Sequence, residues 1–418
     1  MMRKQIIENP TSVTTSICLL HLSDTQFGRH HRFGTASDEA FDSLLSRLAD
    51  DLKVLRKEHD LKPQIVLLTG DLTEWGKKPE FDDVLKFSIG LSEKLSIPRS
   101  HFVIIPGNHD INRDLCEAYF IACNAYDKEP QKPYWDKWRF YTEFFQEFYQ
   151  EKTDCCFTQT EPWTLFEMPD IKIVVAGLNS TILESHRDKD HCGWLGEEQL
   201  RWFANCLEDY QQRGWFRIAA LHHNLRRGPV KDDENLLDFK DFEKYLGSKV
   251  NLIVHGHTHD GKADWSINKV PILATGSAAV KAEQRPEEVP NQYQIIQLWP
   301  DRYQRWARCY FPENNTWGGD NRASNSLNSW QAEEAVSFAD VRETFPLQEL
   351  ASYEANSIQL PRTQFYCNLP YASLGKLFKG RDNFISNLHN RILVKRRAIF
   401  EQQNARYLEK KRIAIYAT

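Results

Sequence analysis

Six short apolar runs, rich in isoleucine and valine, recur along the chain and stop abruptly at glycine or polar residues. They are "ICLLHLSD" to Asp24, "QIVLLTGD" to Asp71, "HFVIIPGN" to Asn108, "KIVVAGLNS" to Ser180, "FRIAALHH" to His223 and "VNLIVHGHTH" to His259. Runs of this length and composition predict buried strands. "VPILATGSA", "YQIIQLW" and "YQRWARCYF" predict three more. Helical spacing falls between the runs. Phe41, Leu44, Leu45, Leu48, Leu52 and Leu55 form one apolar face, with Ser37 as its N-cap and Asp38 and Glu39 in the first turn. Leu200, Phe203, Ala204 and Leu207 form another. Strand–helix alternation predicts an α/β fold whose strands are covered on both sides.

Five of the runs end in side chains that can bind metal: Asp24 and Gln26, Asp71, Asn108 beside His109, His222 beside His223, and His257 with His259. In α/β sheets, sites form beyond the carboxyl ends of strands. Residues two apart in extended chain share a face, so Asp24 and Gln26 are expected to face one ion, and so are His257 and His259. Gly70, Gly107 and Gly256 each precede a candidate ligand, where backbone must turn or approach closely. The set combines carboxylate, amide oxygen and imidazole without thiolate, which suits Mn, Fe or Zn. Each piece alone is weak. A Gly-Asp after a strand is common, Asp110 can be read as the cap of a following helix, and His21, His101 and His255 read as structural.

Taken in order, the pieces follow the pattern D-x-H, G-D, G-N-H-[DE], H, G-H-x-H. From Ile17 to Phe311 the chain resembles the calcineurin-like metallophosphoesterase superfamily. The resemblance implies two β-sheets packed face to face with helices outside, an αββα sandwich. It also implies two divalent metal ions, with Mn favoured. Asp24, Gln26 and His259 would hold the first, Asn108, His222 and His257 the second, and Asp71 would bridge them. His109 would donate a proton, tuned by Asp110. His222 is chosen over His223 because the family ligand precedes its neighbour by one and often a proline by two; Asn224 stands where that proline would be. Gln26 departs from the family, which usually has histidine there, and implies looser binding at the first site. The implied reaction is hydrolysis of a phosphate ester. Water activated between ions ~3.5–4 Å apart attacks phosphorus in line, and His109 protonates the departing alkoxide, a step worth roughly 10²–10⁴-fold. The start "SDTQFG" and the helix "HCGWLGEEQLRWF" are similar to those of class III cyclic-nucleotide phosphodiesterases, which favours a phosphodiesterase over a monoesterase. A metal-dependent nuclease is the alternative. Arg29 and His30 in "GRHHRFG", together with His223, are the candidate substrate-binding residues, and nucleotides are among the candidate substrates.

The expected domains are an N-terminal tail over 1–16, the catalytic domain over 17–311, a linker over 312–326 and a basic extension over 327–418. Within the catalytic domain, a helical insertion at about 112–150 is expected to cap the site and to pack, because "PYWDKWRFYTEFFQEFYQ" places aromatics on more than one helical face. The linker reading rests on "PENNTWGGDNRASNS". From Pro361 onward there are twelve Lys/Arg against three Asp/Glu, in a chain of net charge −5. A basic tail on an acidic body suits a nucleic-acid or membrane contact; a solvated helix face docked on that body is the preferred reading. "LPYASLGKLFKGRDNFISNLHNRI" resembles the linker ahead of the NTPase in bacterial STAND-type proteins, although no P-loop follows. That resemblance implies a second class of function, an effector or signalling module gated by an NTPase partner or by self-association. Nucleic acid is left open. The nine cysteines are scattered without a CxxC pair, against a disulfide framework or a zinc ribbon. No apolar run has the length of a membrane span or of a signal-peptide core, so the expected setting is the cytoplasm, without membrane contact.

Overall fold

Along the strands of one sheet, successive residues belong to different cores. Ile173 and Val175 join one cluster, and Val174 and Ala176 the other; Ile218 and Ala220 likewise alternate with Ala219 and Leu221. That period of two is what a sheet buried on both faces requires. The structure is a computed structural model describing residues 16–33, 38–150, 155–225, 235–323, 329–336 and 338, with backbone alone for 38–43. The chain divides into two units, 1–349 and 350–418. The second, with the segment that resembles a STAND-type linker, lies outside the described residues, as do Ser37 and the N-terminal tail to residue 15.

The elements run β1 (Ile17–Leu22), α1 (Asp38–His59), β2 (Ile65–Thr69), α2 (Lys78–Leu95), β3 (Phe102–Ile105), α3 (Arg113–Ala125) and α4 (Arg139–Phe148). Then follow β4 (Thr164–Met168), β5 (Ile173–Gly177), α5 (Glu197–Gln212), β6 (Phe216–Ala220), α6 (Phe239–Leu246), β7 (Leu252–His255), β8 (Ala263–Trp265) and β9 (Pro271–Ala274). Strands β10 (Gln292–Trp299), β11 (Arg302–Phe311), β12 (Thr316–Gly319) and β13 (Gln331–Ala335) close the series. Among the described residues they form a seven-stranded sheet, β12-β11-β10-β1-β2-β3 with β13 also on β11, and a six-stranded sheet, β4-β5-β6-β7-β9-β8. Residues of both sheets share the larger core, so the sheets pack face to face. Helices α5 and α6 cover the outer face of the second sheet through Leu200, Phe203, Leu207, Phe242 and Leu246. The expected two-sheet sandwich with outer helices is the observed fold.

The central strands are parallel in both sheets: β1, β2 and β3 in one, and β5, β6, β7 and β9 in the other. Their carboxyl ends are level, Leu22 opposite Leu68, Thr69 opposite Ile105 and Ala220 opposite Val254. Five loops therefore emerge together at one end of the sandwich.

The aromatic stretch covers a sheet edge. Strand β3 is a sheet edge, and exposed edge carbonyls need covering. The hydroxyls of Tyr141 and Tyr149 donate to Ile104 O (3.1 Å) and Phe102 O (2.8 Å). Trp138, Phe144, Phe145 and Phe148 are buried beside them, and Phe144 stacks on Phe81 of α2. Lys137, fully buried, donates to the carbonyls of Thr181, Ile182 and Glu184 at 2.7–3.0 Å and ties the insertion to the loop after β5. On the opposite flank, Arg308 of β11 pairs with Asp51 of α1 through Nε at 2.8 Å, and Tyr293 of β10 donates to the same carboxylate. Breaking a buried pair of this kind costs about 3–5 kcal/mol.

The stretch read as a linker carries a strand. Residues 316–319 pair with the end of β11, as Tyr310 opposite Trp317, and β13 pairs with its start. Asn314 and Asn315 lie in the hairpin turn between Phe311 and Thr316, and Gly318 and Gly319 lie in the strand itself, opposite Cys309 and Arg308. The three histidines read as structural all have partners. His21 bridges Thr69 Oγ1 (2.9 Å) and Gln294 Nε2 (2.8 Å), His101 meets Gln64 O (3.0 Å), and His255 meets Gly256 O (2.9 Å).

Candidate metal centre

The loops at the carboxyl ends are turned, not extended. Asp24, Gln26, Asp71, His257 and His259 all have positive φ, between 40° and 69°. For residues other than glycine this region is uncommon, and it persists where surroundings over-determine it. Here Asp24 N donates to Gly70 O (3.0 Å) and Gln26 N to Asp71 O (2.9 Å), locking the first loop onto the second. The expectation that Asp24/Gln26 and His257/His259 converge by strand alternation is thus corrected: left-handed turns aim them. Two glycines make room. A Cβ on Gly107 would lie 2.2 Å from Asp71 Oδ1, and one on Gly256 would lie 1.8 Å from Ser23 Oγ.

Two clusters of candidate ligands result, Asp71–His222–His257 and Asp24–Asp71–His259, each with its ligand atoms within 4.8 Å of one another. Asp71 belongs to both. His222 Nε2 lies 2.9 Å from Asn108 Oδ1, 3.2 Å from His257 Nδ1 and 3.3 Å from Asp71 Oδ2. His259 Nε2 lies 3.0 Å from Asp24 Oδ1. Ligand atoms bonded to a divalent ion at ~2.0–2.2 Å stand roughly 3.0–3.5 Å apart, so these separations are those of a ligand shell. Asp24 Oδ1 lacks hydrogen-bond geometry towards any donor despite its short distance to His259, and His257 Nε2 is buried without a partner among the described residues. The donor set therefore fits two divalent ions.

Electrostatics agree. Burial alone would raise the Asp71 carboxyl, yet His222 and His109 beside it hold it well below the usual range. Burial opposes a charged His222, but Asp71 and Asp24 raise it to about 9. The carboxylates draw positive charge into the spot where a cation would sit. Backbone carbonyls orient the imidazoles: Thr69 O faces His222 Nδ1 at 2.8 Å and Gln284 O faces His259 Nδ1 at 3.0 Å, which leaves each Nε2 as the ligand atom.

The family profile of calcineurin-like phosphoesterases matches residues 19–261. The chain belongs to that family. A metallophosphoesterase-like protein of Bacillus subtilis strain 168, YydB, is 23% identical over 311 residues, covering 69% of this chain. The chain spans 61% of the length of that curated relative. Among solved structures, a dimetal phosphatase from Danio rerio is 14% identical over 70% of this chain and 96% of its own, with a TM-score of 0.45. PhoD is 11% identical over 83% of this chain and 77% of its own, with a TM-score of 0.47.

The remaining residues can be placed around the two ligand clusters. Gln26 is buried, and its backbone N–H donates to Asp71 O at 2.9 Å. His109 Nδ1 is held by Glu74 O at 2.8 Å, while its backbone N–H donates to Asp71 Oδ1 at 2.8 Å. Asp110 does not touch the His109 ring. In the tight turn its carboxylate points back and accepts from Gly107 N (2.8 Å), Thr73 N (2.9 Å) and Leu72 N (3.2 Å). Burial and Asp71 push it up to about 7. It therefore fixes the loop, and the orienting partner of His109 is the Glu74 carbonyl. The cap of α3 is Asn112, which accepts from Leu115 N at 2.8 Å.

The candidate substrate residues divide. Arg29 is exposed. His30 is tied to the Glu74 carboxylate through its ring and through its N–H at 2.9 Å. His223 is corrected: it is buried, its Nδ1 meets Ser180 Oγ at 2.8 Å, and its ring packs on His257 with centroids 4.6 Å apart. One step along the chain from His222, it faces away from the ligand cluster and props the ligands from behind. Sequence reasoning missed Glu74 and Glu80, whose carboxylates organise the loop after Asp71; a "TEWGKKPE" loop leading into a helix was the available signal.

Proposed function

We propose that the chain is a dinuclear metal-dependent phosphodiesterase. The observation that carries this reading is Asp71, one carboxylate shared by two ligand clusters at level strand ends. Asp24, Gln26, Asp71 and His259 would hold one ion, and Asp71, Asn108, His222 and His257 the other. Two such ions, when bound, generate a nucleophile from water at neutral pH and neutralise charge on the phosphoryl oxygens. The chain's own residues do the rest. His109 Nε2 has no partner among the described residues and lines an open cleft, so it is free to hand a proton to the leaving oxygen. Glu74 O keeps that proton donor aimed. Oxygen- and nitrogen-only donors, two of them amides, favour Mn. The resemblance to class III phosphodiesterases favours a diester. No disulfide joins any two of the eight cysteines among the described residues, which suits a cytoplasmic setting. No helix among the described residues is long and apolar enough to cross a membrane.

The test is hydrolysis by metal-stripped protein. Without added metal, bis(p-nitrophenyl) phosphate should stay intact. Mn²⁺ should restore turnover, and the diester should be cleaved faster than p-nitrophenyl phosphate. Absence of hydrolysis of either ester with Mn²⁺, Fe²⁺, Zn²⁺ or Co²⁺ would sink the reading.

Gln26→His supplies a further expected result. Imidazole is a stronger ligand than an amide oxygen for these metals, so the metal concentration for half-maximal activity should fall about tenfold or more. An unchanged metal titration would mean that residue 26 does not ligate.

A further inference from the structure

Trp75 breaks the pattern of this chain's tryptophans. Of the twelve in the sequence, it alone is half exposed, at 51%. Yet the loop that carries it is rigid. Trp75 N and Lys77 N both donate to Glu80 Oε2, at 2.9 and 3.1 Å. Gly76 N donates to Thr73 Oγ1 (3.2 Å), and Asn112 Nδ2 donates to Gly76 O (3.1 Å). Gly76 sits at φ +63° against Ile111, whose carbonyl carbon would lie 2.5 Å from any added Cβ. The residue before Trp75 is Glu74, whose carbonyl aims His109. The indole is thus an immobilised apolar surface held next to the proton donor and facing water. A side chain costly to expose, on a loop locked by four hydrogen bonds, is what a stacking platform requires.

The platform borders a cleft of about 270 Å³ lined by Trp75, Lys77, Asn108, His109, Arg113 and Asp114. That volume is at the small end of small-molecule sites, which suits one nucleoside-sized group rather than a polymer strand. Asn108 and His109 both line the cleft, so a group that fills it lies beside the oxygen that His109 would protonate. Lys77 is exposed, and Arg113 keeps Nε without a partner among the described residues, with Nη2 3.9 Å from Glu184. Glu74 also lines the cleft, but its carboxylate is buried and taken up by His30, so Lys77 and Arg113 against the exposed Asp114 favour an additional anionic substituent.

Resting on the phosphodiesterase reading, we propose that this cleft is the leaving-group subsite and receives a nucleoside bearing a further phosphate, its base stacked on Trp75 and its phosphate met by Lys77 and Arg113. In the reaction the oxygen of water bonds to phosphorus and the ester bond from phosphorus to the nucleoside oxygen breaks. That oxygen takes a proton from His109, and a proton from water passes to solvent.

The test compares the Mn²⁺-loaded wild type with Trp75→Ala, Trp75→Phe and Lys77→Ala. The substrates are methyl adenosine 5′-phosphate, its 3′-phosphorylated form, and the aliphatic diester glycerophosphoethanolamine. The wild type should release the nucleoside and methyl phosphate rather than nucleotide and methanol. Its kcat/KM should be highest for the 3′-phosphorylated ester. Trp75→Ala should lower the nucleotidyl-to-aliphatic ratio of kcat/KM about tenfold or more, mainly through KM, and Trp75→Phe should restore most of it. Lys77→Ala should remove the advantage of the 3′-phosphate. Release of methanol, or a ratio unmoved by Trp75→Ala in an enzyme that cleaves the esters, overturns this assignment alone. A wild type inactive on every diester overturns the phosphodiesterase reading beneath it.

Discussion

Asp71→Asn should abolish metal-dependent hydrolysis, lowering the rate by more than roughly 10³-fold, above the ~10²–10³ that a single neutral donor supplies. Bound metal should fall from two ions per chain to one or none. The expectation comes from position and charge. Asp71 is the one side chain present in both ligand clusters, so its loss weakens both. It is also the partner that chiefly raises His222 against its own burial. Asparagine is nearly isosteric, tolerates the left-handed conformation that residue 71 adopts at φ 51°, and can still accept from His109 N through Oδ1. The backbone should therefore hold. In the metal-free protein Asp71 lies 3.3 Å from buried His222 and is the partner that chiefly raises it, so the stripped variant should still melt in one cooperative transition, somewhat below stripped wild type. Elemental analysis and a thermal melt of the stripped protein separate this from misfolding. A variant that keeps two ions and its rate would remove Asp71 from the bridging role.

What the chain revealed before folding, and what it withheld, divides along one physical line. Strands buried on both faces, such as "IVLLT" and "IVVAG", announce themselves by composition. Edge strands do not. β13 reads "QAEEA", and its place comes from ladder bonds to β11 rather than from side-chain burial. β4 alternates buried and half-buried residues around a glutamate, too faint a signal beside Trp163 and Pro162. The same division holds at the centre. The types and order of the candidate ligands can be read because they are side chains at strand ends. Their aim cannot, because it depends on left-handed turns and on carbonyls of Thr69, Glu74 and Gln284, which bring no distinctive residue to the sequence. His223 and Asp110 were misread for a related reason. In a tight turn, one residue's step sends a side chain to the opposite side, and adjacency to a ligand says little about shared work.

His109→Ala should lower kcat by roughly 10²–10⁴-fold for esters of alkyl alcohols, and far less for nitrophenyl esters. The contrast follows from the leaving group. An alkoxide needs a proton as it departs, whereas nitrophenolate is a weak enough base to leave without one. The geometry separates this role from a structural one. His109 contributes its backbone N–H to Asp71 Oδ1 at 2.8 Å, and alanine keeps that bond. Among the described residues the ring is hydrogen-bonded through Nδ1 to Glu74 O, so its removal takes the proton donor and leaves both ligand clusters intact. Metal content should stay at two ions per chain, and KM for the nitrophenyl ester should change little. Measuring both ester types on the same metal-loaded preparation cancels errors in active fraction. An equal fall for alkyl and nitrophenyl esters would mean that the imidazole stabilises charge on the phosphoryl group instead of protonating the alcohol. The proton would then have to come from solvent through the same cleft.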